Sequence, residues 1–155
     1  MSKIELPRVD IYTDGSCDNS KKEIGGYGIV LINVKTGVIK ELSGIEKNTT
    51  SNRMELLGAI CALEALKKDC SVVLHSDSEY LVKRMNENFP QRSEAKGWKR
   101  KGKDIPNLDL WKRLLKLSKI YQVEFKWVPG HSGIEMNERC DQLARQAAQK
   151  QTEEK

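Results

Sequence analysis

The chain has 155 residues, 38% hydrophobic and 32% charged, which fits one domain burying roughly 70% of the surface its unfolded chain would expose. A mean hydropathy of −0.60, the lack of any apolar run near the ~20 residues of a membrane helix and the polar start Met1-Ser2-Lys3-Ile4-Glu5 exclude a spanning segment and a signal peptide, so cytoplasmic residence is expected. A formal charge of +5 and a pI near 9.0 point to a polyanionic partner without identifying it.

The first apolar run, β-branched and aromatic over residues 9–14, predicts a strand that stops at the turn signal Gly15-Ser16. Runs at 26–34 and 38–42 flank Lys35-Thr36-Gly37 and predict a hairpin, so three antiparallel strands open the fold. From Asn52 the spacing becomes helical, with Met54, Leu57 and Cys61 beside Leu56, Ile60 and Leu63 in a wide apolar stripe that ends at Lys67-Lys68. Residues 70–75 form a compact apolar strand reached through a helical crossover, which favours parallel pairing with an earlier strand. Helices are expected over 78–86 and 109–119, the second with Leu110, Leu114 and Leu117 inward. A strand over 123–128 and a closing helix over 135–149 follow. Between them, Pro129-Gly130-His131-Ser132-Gly133 has the composition of a mobile loop, and residues 151–155 read as a polar tail that frays. The order predicts a single α/β domain over residues 1–150, with a mixed five-stranded sheet, three strands antiparallel and then two parallel, and helices on its faces. A basic segment at about residues 90–105 reads as an insertion within it.

That segment holds the charge. Between Arg92 and Lys103, the cations Arg92, Lys96, Lys99, Arg100, Lys101 and Lys103 against Glu94 alone give a net +5, and the remainder of the chain sums to zero. Trp98 inside the run suits a sugar or base face between phosphate contacts; the competing reading is a solvated lysine-rich helix with Trp98 tucked against the body. The four cysteines, Cys17, Cys61, Cys70 and Cys140, form no C-x-x-C pair and stand near no histidine at zinc-ligand spacing. They read as reduced, mostly buried thiols, which leaves oxygen ligands and hard cations such as Mg²⁺ as the available metal chemistry.

Four carboxylates are candidates for it, and each has an ordinary explanation. Asp14-Gly15 is a turn signal, Glu55 stands three residues after Asn52 like the acid of a capping box, Asp77 suits the N-cap of the helix entered through Ser78, and Asp141 is spaced for an ion pair with Arg145. Their placement in the fold says more. Asp14 and Asp77 fall at the carboxyl ends of strands, where open α/β sheets build ligand sites, and Glu55 lies in the first turn of the helix between them. Carboxylates brought that close repel by about 4 kcal/mol per pair at an effective dielectric of 20. Two Mg²⁺ ions roughly 3.5–4 Å apart would compensate, which is the arrangement for in-line phosphodiester displacement.

Eight ordered blocks resemble the type 1 ribonucleases H over nearly the whole chain. They are Tyr12-Thr13-Asp14-Gly15-Ser16-Cys17, Gly25-Gly26-Tyr27-Gly28, Thr50-Ser51-Asn52-Arg53-Met54-Glu55-Leu56, Ser76-Asp77-Ser78, Lys96-Gly97-Trp98-Lys99, Leu108-Asp109-Leu110-Trp111, Trp127-Val128-Pro129-Gly130-His131-Ser132-Gly133 and Asn137-Glu138-Arg139-Cys140-Asp141-Gln142-Leu143-Ala144. Met1 and the self-contained length favour a free-standing enzyme, and with nothing to suggest an obligate oligomer, a protein partner or a membrane, a monomer is expected. The resemblance implies a ribonuclease H-like fold. It also implies that Asp14, Glu55, Asp77 and Asp141 hold two Mg²⁺ ions, with Mn²⁺ as a substitute, to hydrolyse the RNA strand of RNA/DNA hybrids and leave 5′-phosphate and 3′-hydroxyl ends. His131 matches the loop histidine that assists proton transfer or product release, and Glu138 an outer-shell position near Asp141. Cys17, Asn19, Ser51, Asn52, Glu55 and Glu79 match positions on the RNA strand. Thr50 and Asn107 match a DNA phosphate site, and Trp98, Lys99, Arg100 and Lys101 match the basic protrusion.

The chain departs from the pattern in four places. Asp18-Asn19-Ser20-Lys21-Lys22-Glu23-Ile24 replaces a Pro-Gly-rich turn, Ser51 stands where Asn is frequent, and Glu79 stands where Gln is frequent. Phe89 is the only aromatic between Met85 and Ser93, where many relatives carry tryptophans. Three other readings compete: a fragment of a retroviral polymerase, a DNA-acting nuclease on the same architecture, disfavoured by the His131 loop and basic insert, and a non-catalytic duplex binder. A binder has no reason to face phosphate with carboxylates.

Overall fold

The computed structural model describes residues 6–18, 24–130 and 134–153. In chain order the elements are β1 (Arg8–Asp18), β2 (Ile24–Asn33), β3 (Ile39–Glu46), α1 (Ser51–Glu64), β4 (Ser71–Ser76) and α2 (Glu79–Asn86). These are followed by α3 (Phe89–Ala95), β5 (Lys99–Arg100), β6 (Lys103–Asp104), α4 (Leu108–Ile120), β7 (Gln122–Trp127) and α5 (Glu135–Glu153). The main sheet has the order β3-β2-β1-β4-β7. β1 and β3 pair antiparallel with β2, whereas β4 runs parallel to both β1 and β7. This is the expected five-stranded mixed sheet, and the need of parallel strands for a long crossover explains why helix lies between the members of each parallel pair.

Alternation along β1 divides the molecule. Ile11 and Thr13 are fully buried on the side covered by α1, whose Met54, Leu56, Ile60 and Leu63 are fully buried as well. Trp111, Leu110 and Leu114 of α4 and Leu81 of α2 complete that core. On the other side α5 packs across β1, β2 and β3, with Cys140 and Ala144 fully buried. Burial of these side chains supplies the main driving force for the layers.

Several boundaries differ from the sequence reading. β1 runs through Gly15 to Asp18 instead of turning at Asp14, because the residues after Asp14 continue the antiparallel ladder with β2, from Gly15 opposite Tyr27 to Asp18 opposite Ile24. α1 ends at Glu64, short of Lys67-Lys68, and its N-cap is Thr50, whose side chain accepts from Arg53 N–H at 3.2 Å. The helix after β4 is capped by Ser78, which accepts from Leu81 N–H at 3.1 Å, and not by Asp77. The basic segment is ordered as α3 followed by a small β5–β6 hairpin. α5 continues to Glu153, into the expected tail. All four cysteines are thiols, Cys70 and Cys140 buried and Cys17 and Cys61 half-buried.

Candidate active site

The parallel ladder between β1 and β4 ends at the pair Thr13 and Ser76. Asp14 and Asp77 are the next residues on each strand, so the two carboxylates leave the sheet side by side at its carboxyl edge. Glu55 reaches the same point from α1. Oxygens of these three side chains lie within 4.8 Å of one another, and Asp14 and Glu55 are only 7% and 8% exposed.

One backbone group ties two of them. The Gly15 N–H donates to Asp14 Oδ1 at 2.9 Å and to Glu55 Oε1 at 3.0 Å, while Ser76 Oγ donates to Glu55 Oε2 at 3.4 Å. A Cβ at Gly15 would sit 2.6 Å from the Met54 carbonyl carbon and 2.7 Å from the Glu55 nitrogen. The glycine read from sequence as a turn residue is thus required by the close approach of strand and helix.

Crowding shows in the protonation of the acids. Burial, then the neighbouring charge of Asp77, pushes the Asp14 carboxyl up to about 7, against the opposing effect of its contact with Glu55. Burial, then Asp14 and Asp77, pushes Glu55 well above the usual carboxylate range. Without a cation, burial first and then the neighbouring charges favour the protonated forms of Asp14 and Glu55. An all-oxygen, buried, anionic donor set of this kind fits a hard divalent cation, which would take the place of those protons.

Asp141 of α5 lines the same open cleft, of about 480 Å³, with Asp14, Glu55 and Asp77. Its carboxylate pairs with Arg145 one turn along the helix. The structure therefore gathers three of the four expected acids tightly, while the fourth lines the cleft and keeps its ion pair with Arg145. Cys17, Ser51, Asn52 and Glu79 also line the cleft, and the Cys17 thiol donates to the Thr49 carbonyl at 3.5 Å. Glu138 is exposed on α5 and is not among the residues lining the cleft. Asn19 and His131 lie outside the described residues. The root of the His131 loop does approach the site, since a Cβ on Gly130 would come within 3.0 Å of Asp77 Oδ2.

Thr50 and Asn107 both bond to Arg53, Thr50 Oγ1 accepting from its backbone N–H at 3.2 Å. The Asn107 Oδ1 accepts from Arg53 at 3.4 Å, and its Nδ2 donates to the Tyr80 hydroxyl at 3.0 Å. Arg53 also forms a two-pronged bond with Asp109, at 3.0 and 2.9 Å, and a further one with Glu46 at 3.0 Å. Sequence reasoning did not single out Arg53, Tyr80 or Ser76. Their roles come from partners 21 to 56 residues away, which no local pattern marks. In the protrusion, Arg100 and Lys101 are exposed, Lys99 pairs with Asp104 at 2.7 Å, and Trp98 is half-buried against the core. Trp98 thus packs one side against the body while part of its surface stays exposed, and the segment that follows it is a hairpin and not a helix.

Comparison with known proteins agrees with this geometry. The family model described as RNase H matches residues 7–149. A ribonuclease H of Lachnoclostridium phytofermentans is 51% identical over 145 residues, covering 91% of this chain and 92% of that protein. Among solved structures, LC9-RNase H1, a type 1 RNase H with the type 2 active-site motif, superposes with a TM-score of 0.84 at 34% identity, over 97% of this chain and 76% of that one. LC11-RNase H1, solved in complex with an RNA/DNA hybrid, shares the fold with a TM-score of 0.72 at 24% identity, over 93% of this chain and 99% of that one.

Proposed function

The chain belongs to the ribonuclease H family, and from that premise we propose that it hydrolyses the RNA strand of RNA/DNA hybrids by a two-metal-ion displacement, leaving 5′-phosphate and 3′-hydroxyl ends. The observation that carries the reading is the convergence of Asp14, Glu55 and Asp77 within 4.8 Å at one sheet edge. The hybrid bound to LC11-RNase H1, a protein of the same fold, supports the substrate class.

Divalent cations bound here, Mg²⁺ or Mn²⁺ in its place, would supply the charge that activates a water and stabilises the leaving oxygen. Asp14, Glu55 and Asp77 would hold them, and Asp141, now paired with Arg145, would complete the set. The Gly15 N–H and the Ser76 hydroxyl fix the oxygens of Asp14 and Glu55, so little reorganisation is needed when substrate arrives. Cys17, Asn19, Ser51, Asn52 and Glu79 meet the RNA strand. A ribose 2′-hydroxyl both donates and accepts, which is what separates RNA from DNA at such a surface. Thr50 and Asn107 take a phosphate of the DNA strand, and Trp98, Lys99, Arg100 and Lys101 extend the backbone contacts. His131 follows Gly130, whose position comes close to Asp77, and in this reading it moves a proton or helps the product leave, a task suited to an imidazole. Glu138 acts on Asp141 from outside the ligand set. Contacts to backbone and 2′-hydroxyls carry little base information, so sequence preference is slight. The domain over 1–150 acts alone, as a monomer.

The test is cleavage of end-labelled RNA paired with DNA, paired with RNA, single-stranded, or present as one ribonucleotide in duplex DNA, with Mg²⁺ or with chelator. Metal-dependent cutting confined to the hybrid is the expected result. A hybrid bound but left intact with both Mg²⁺ and Mn²⁺ would make the chain a binder instead.

A further inference from the structure

A shallow depression of about 270 Å³, lined by Glu79, Val82, Lys83 and Trp127, lies beside the cleft and shares Glu79 with it. Trp127 ends β7 and is 46% exposed, the one aromatic among the exposed large hydrophobic side chains of the described residues. Its indole N–H donates to the Asp77 carbonyl at 3.3 Å, and the next residue, Val128, donates its N–H to the Ser76 carbonyl at 2.9 Å. The ring is therefore anchored to the segment that carries Asp77 while nearly half its surface stays in water. An anchored, exposed indole is a preorganised platform, because little conformational freedom remains to be lost when a partner covers it.

The two charges beside it are also available. Glu79 and Lys83 stand four residues apart on α2 with the acid first, the spacing that favours an intrahelical ion pair. Among the ion pairs of the described residues, none joins them. An aromatic platform, a cation and a carboxylate acceptor at the edge of a phosphodiester site match the three parts of a ribonucleotide backbone. We propose that this depression binds the sugar-phosphate of the RNA strand next to the scissile linkage, with Trp127 against a ribose, Lys83 on a phosphate and Glu79 accepting from a 2′-hydroxyl.

This subsite rests on the hybrid-cleavage reading and extends it. A carboxylate alone would repel the backbone it must approach, and the Lys83 ammonium one turn further offsets that charge. A DNA strand would satisfy Lys83 but leave Glu79 facing phosphate with no hydroxyl to receive, so the pair selects RNA. The indole platform is indifferent to base identity, which keeps the site independent of sequence.

The experiment compares wild-type protein with Lys83→Ala, Trp127→Ala, Trp127→Phe and Glu79→Ala. Hybrid binding is measured in chelator across a salt series, and cleavage with Mg²⁺. Lys83→Ala is expected to bind the hybrid several-fold more weakly and to lower the salt slope by roughly 0.9, the value for one phosphate, with an unchanged melting temperature. Trp127→Ala is expected to weaken binding by about fivefold or more, and Trp127→Phe, which keeps a ring, by much less. A single 2′-deoxy substitution walked along the RNA strand should find one position that weakens wild-type binding but has no effect on Glu79→Ala. Unchanged affinity and salt slope for Lys83→Ala and unchanged affinity for Trp127→Ala, with equal loss at every deoxy position in wild type and Glu79→Ala, would overturn the subsite while wild-type cleavage left the hybrid reading standing. Wild-type protein that neither binds nor cuts the hybrid would overturn both.

Discussion

Asp14 and Glu55 are less than a tenth exposed and share one backbone donor, whereas Arg100 and Lys101 stand in water at the end of a two-stranded hairpin. Both regions concentrate a single sign of charge. In the cleft the charges are close, poorly screened and strongly coupled. Burial first and then the neighbouring Asp77 raise the pKa of Asp14, burial and then Asp14 and Asp77 raise that of Glu55, and the crowding costs stability that a cation would restore. In the protrusion they are spread through solvent and screened within about a Debye length, so each acts nearly alone and chiefly on a distant polyanion. Chemistry is therefore expected to fail abruptly when the cleft is altered, and affinity to fall gradually when the protrusion is.

The largest break comes from Asp14→Asn. Cleavage is expected to drop by roughly 10²–10³-fold or more, the scale of losing a charge-positioning group, while the metal-free protein melts at the same or a higher temperature because repulsion is relieved. A loss of several kcal/mol in the melt would contradict the clustered-acid picture. Gly15→Ala, next in size, forces a Cβ into the Met54–Glu55 backbone and should cost about 1–3 kcal/mol of stability in denaturant unfolding, with activity falling alongside. Replacing Lys99, Arg100 and Lys101 together by Ala should leave the cleavage rate at saturating hybrid nearly unchanged. It should weaken binding and flatten its salt dependence by up to about 0.9 for each phosphate no longer neutralised, least for Lys99 because Asp104 already neutralises it. The smallest effect sharpens the contrast further. Lys101 adopts φ 52° beside Gly102 at 77°, a left-handed pair that a two-residue turn favours as Asn-Gly. Lys101→Asn should raise the melting temperature by the equivalent of about 0.5–1 kcal/mol and slightly reduce hybrid affinity.

The same contrast explains what could be read from the chain beforehand. Period-two and helical patterns placed the sheet, its order of antiparallel and parallel strands, and the helices at 51–64, 79–86 and 108–120 to within a few residues. The sheet edge then brought Asp14, Glu55 and Asp77 together, as expected. What escaped was non-local. Gly15 looked like a turn because its need for close approach comes from Met54, and Ser76, Arg53 and Tyr80 act through partners distant in sequence. The protrusion resisted for the opposite reason. Its charge run hides α3 and the β5–β6 hairpin, since polar residues in short elements carry no hydrophobic period, and Trp98 packs inward where composition alone allowed either outcome. Asp141 remains readable both ways, being paired with Arg145 and lining the cleft at once.

Asp14, Glu55 and Asp77 form a self-repelling pocket that a divalent cation would relieve. Asp14 holds its proton more tightly folded than unfolded, so its contribution to metal-free stability is complete below the ordinary value of 3.8 and disappears as pH rises through about 7. A side-chain carboxyl ¹³C NMR titration of Asp14 from pH 3 to 9, without metal and with saturating Mg²⁺, reads this directly. The metal-free midpoint should lie near 7 and move far to the acid side when Mg²⁺ is added. A midpoint in the ordinary carboxylate range that Mg²⁺ leaves in place would contradict the self-repelling pocket.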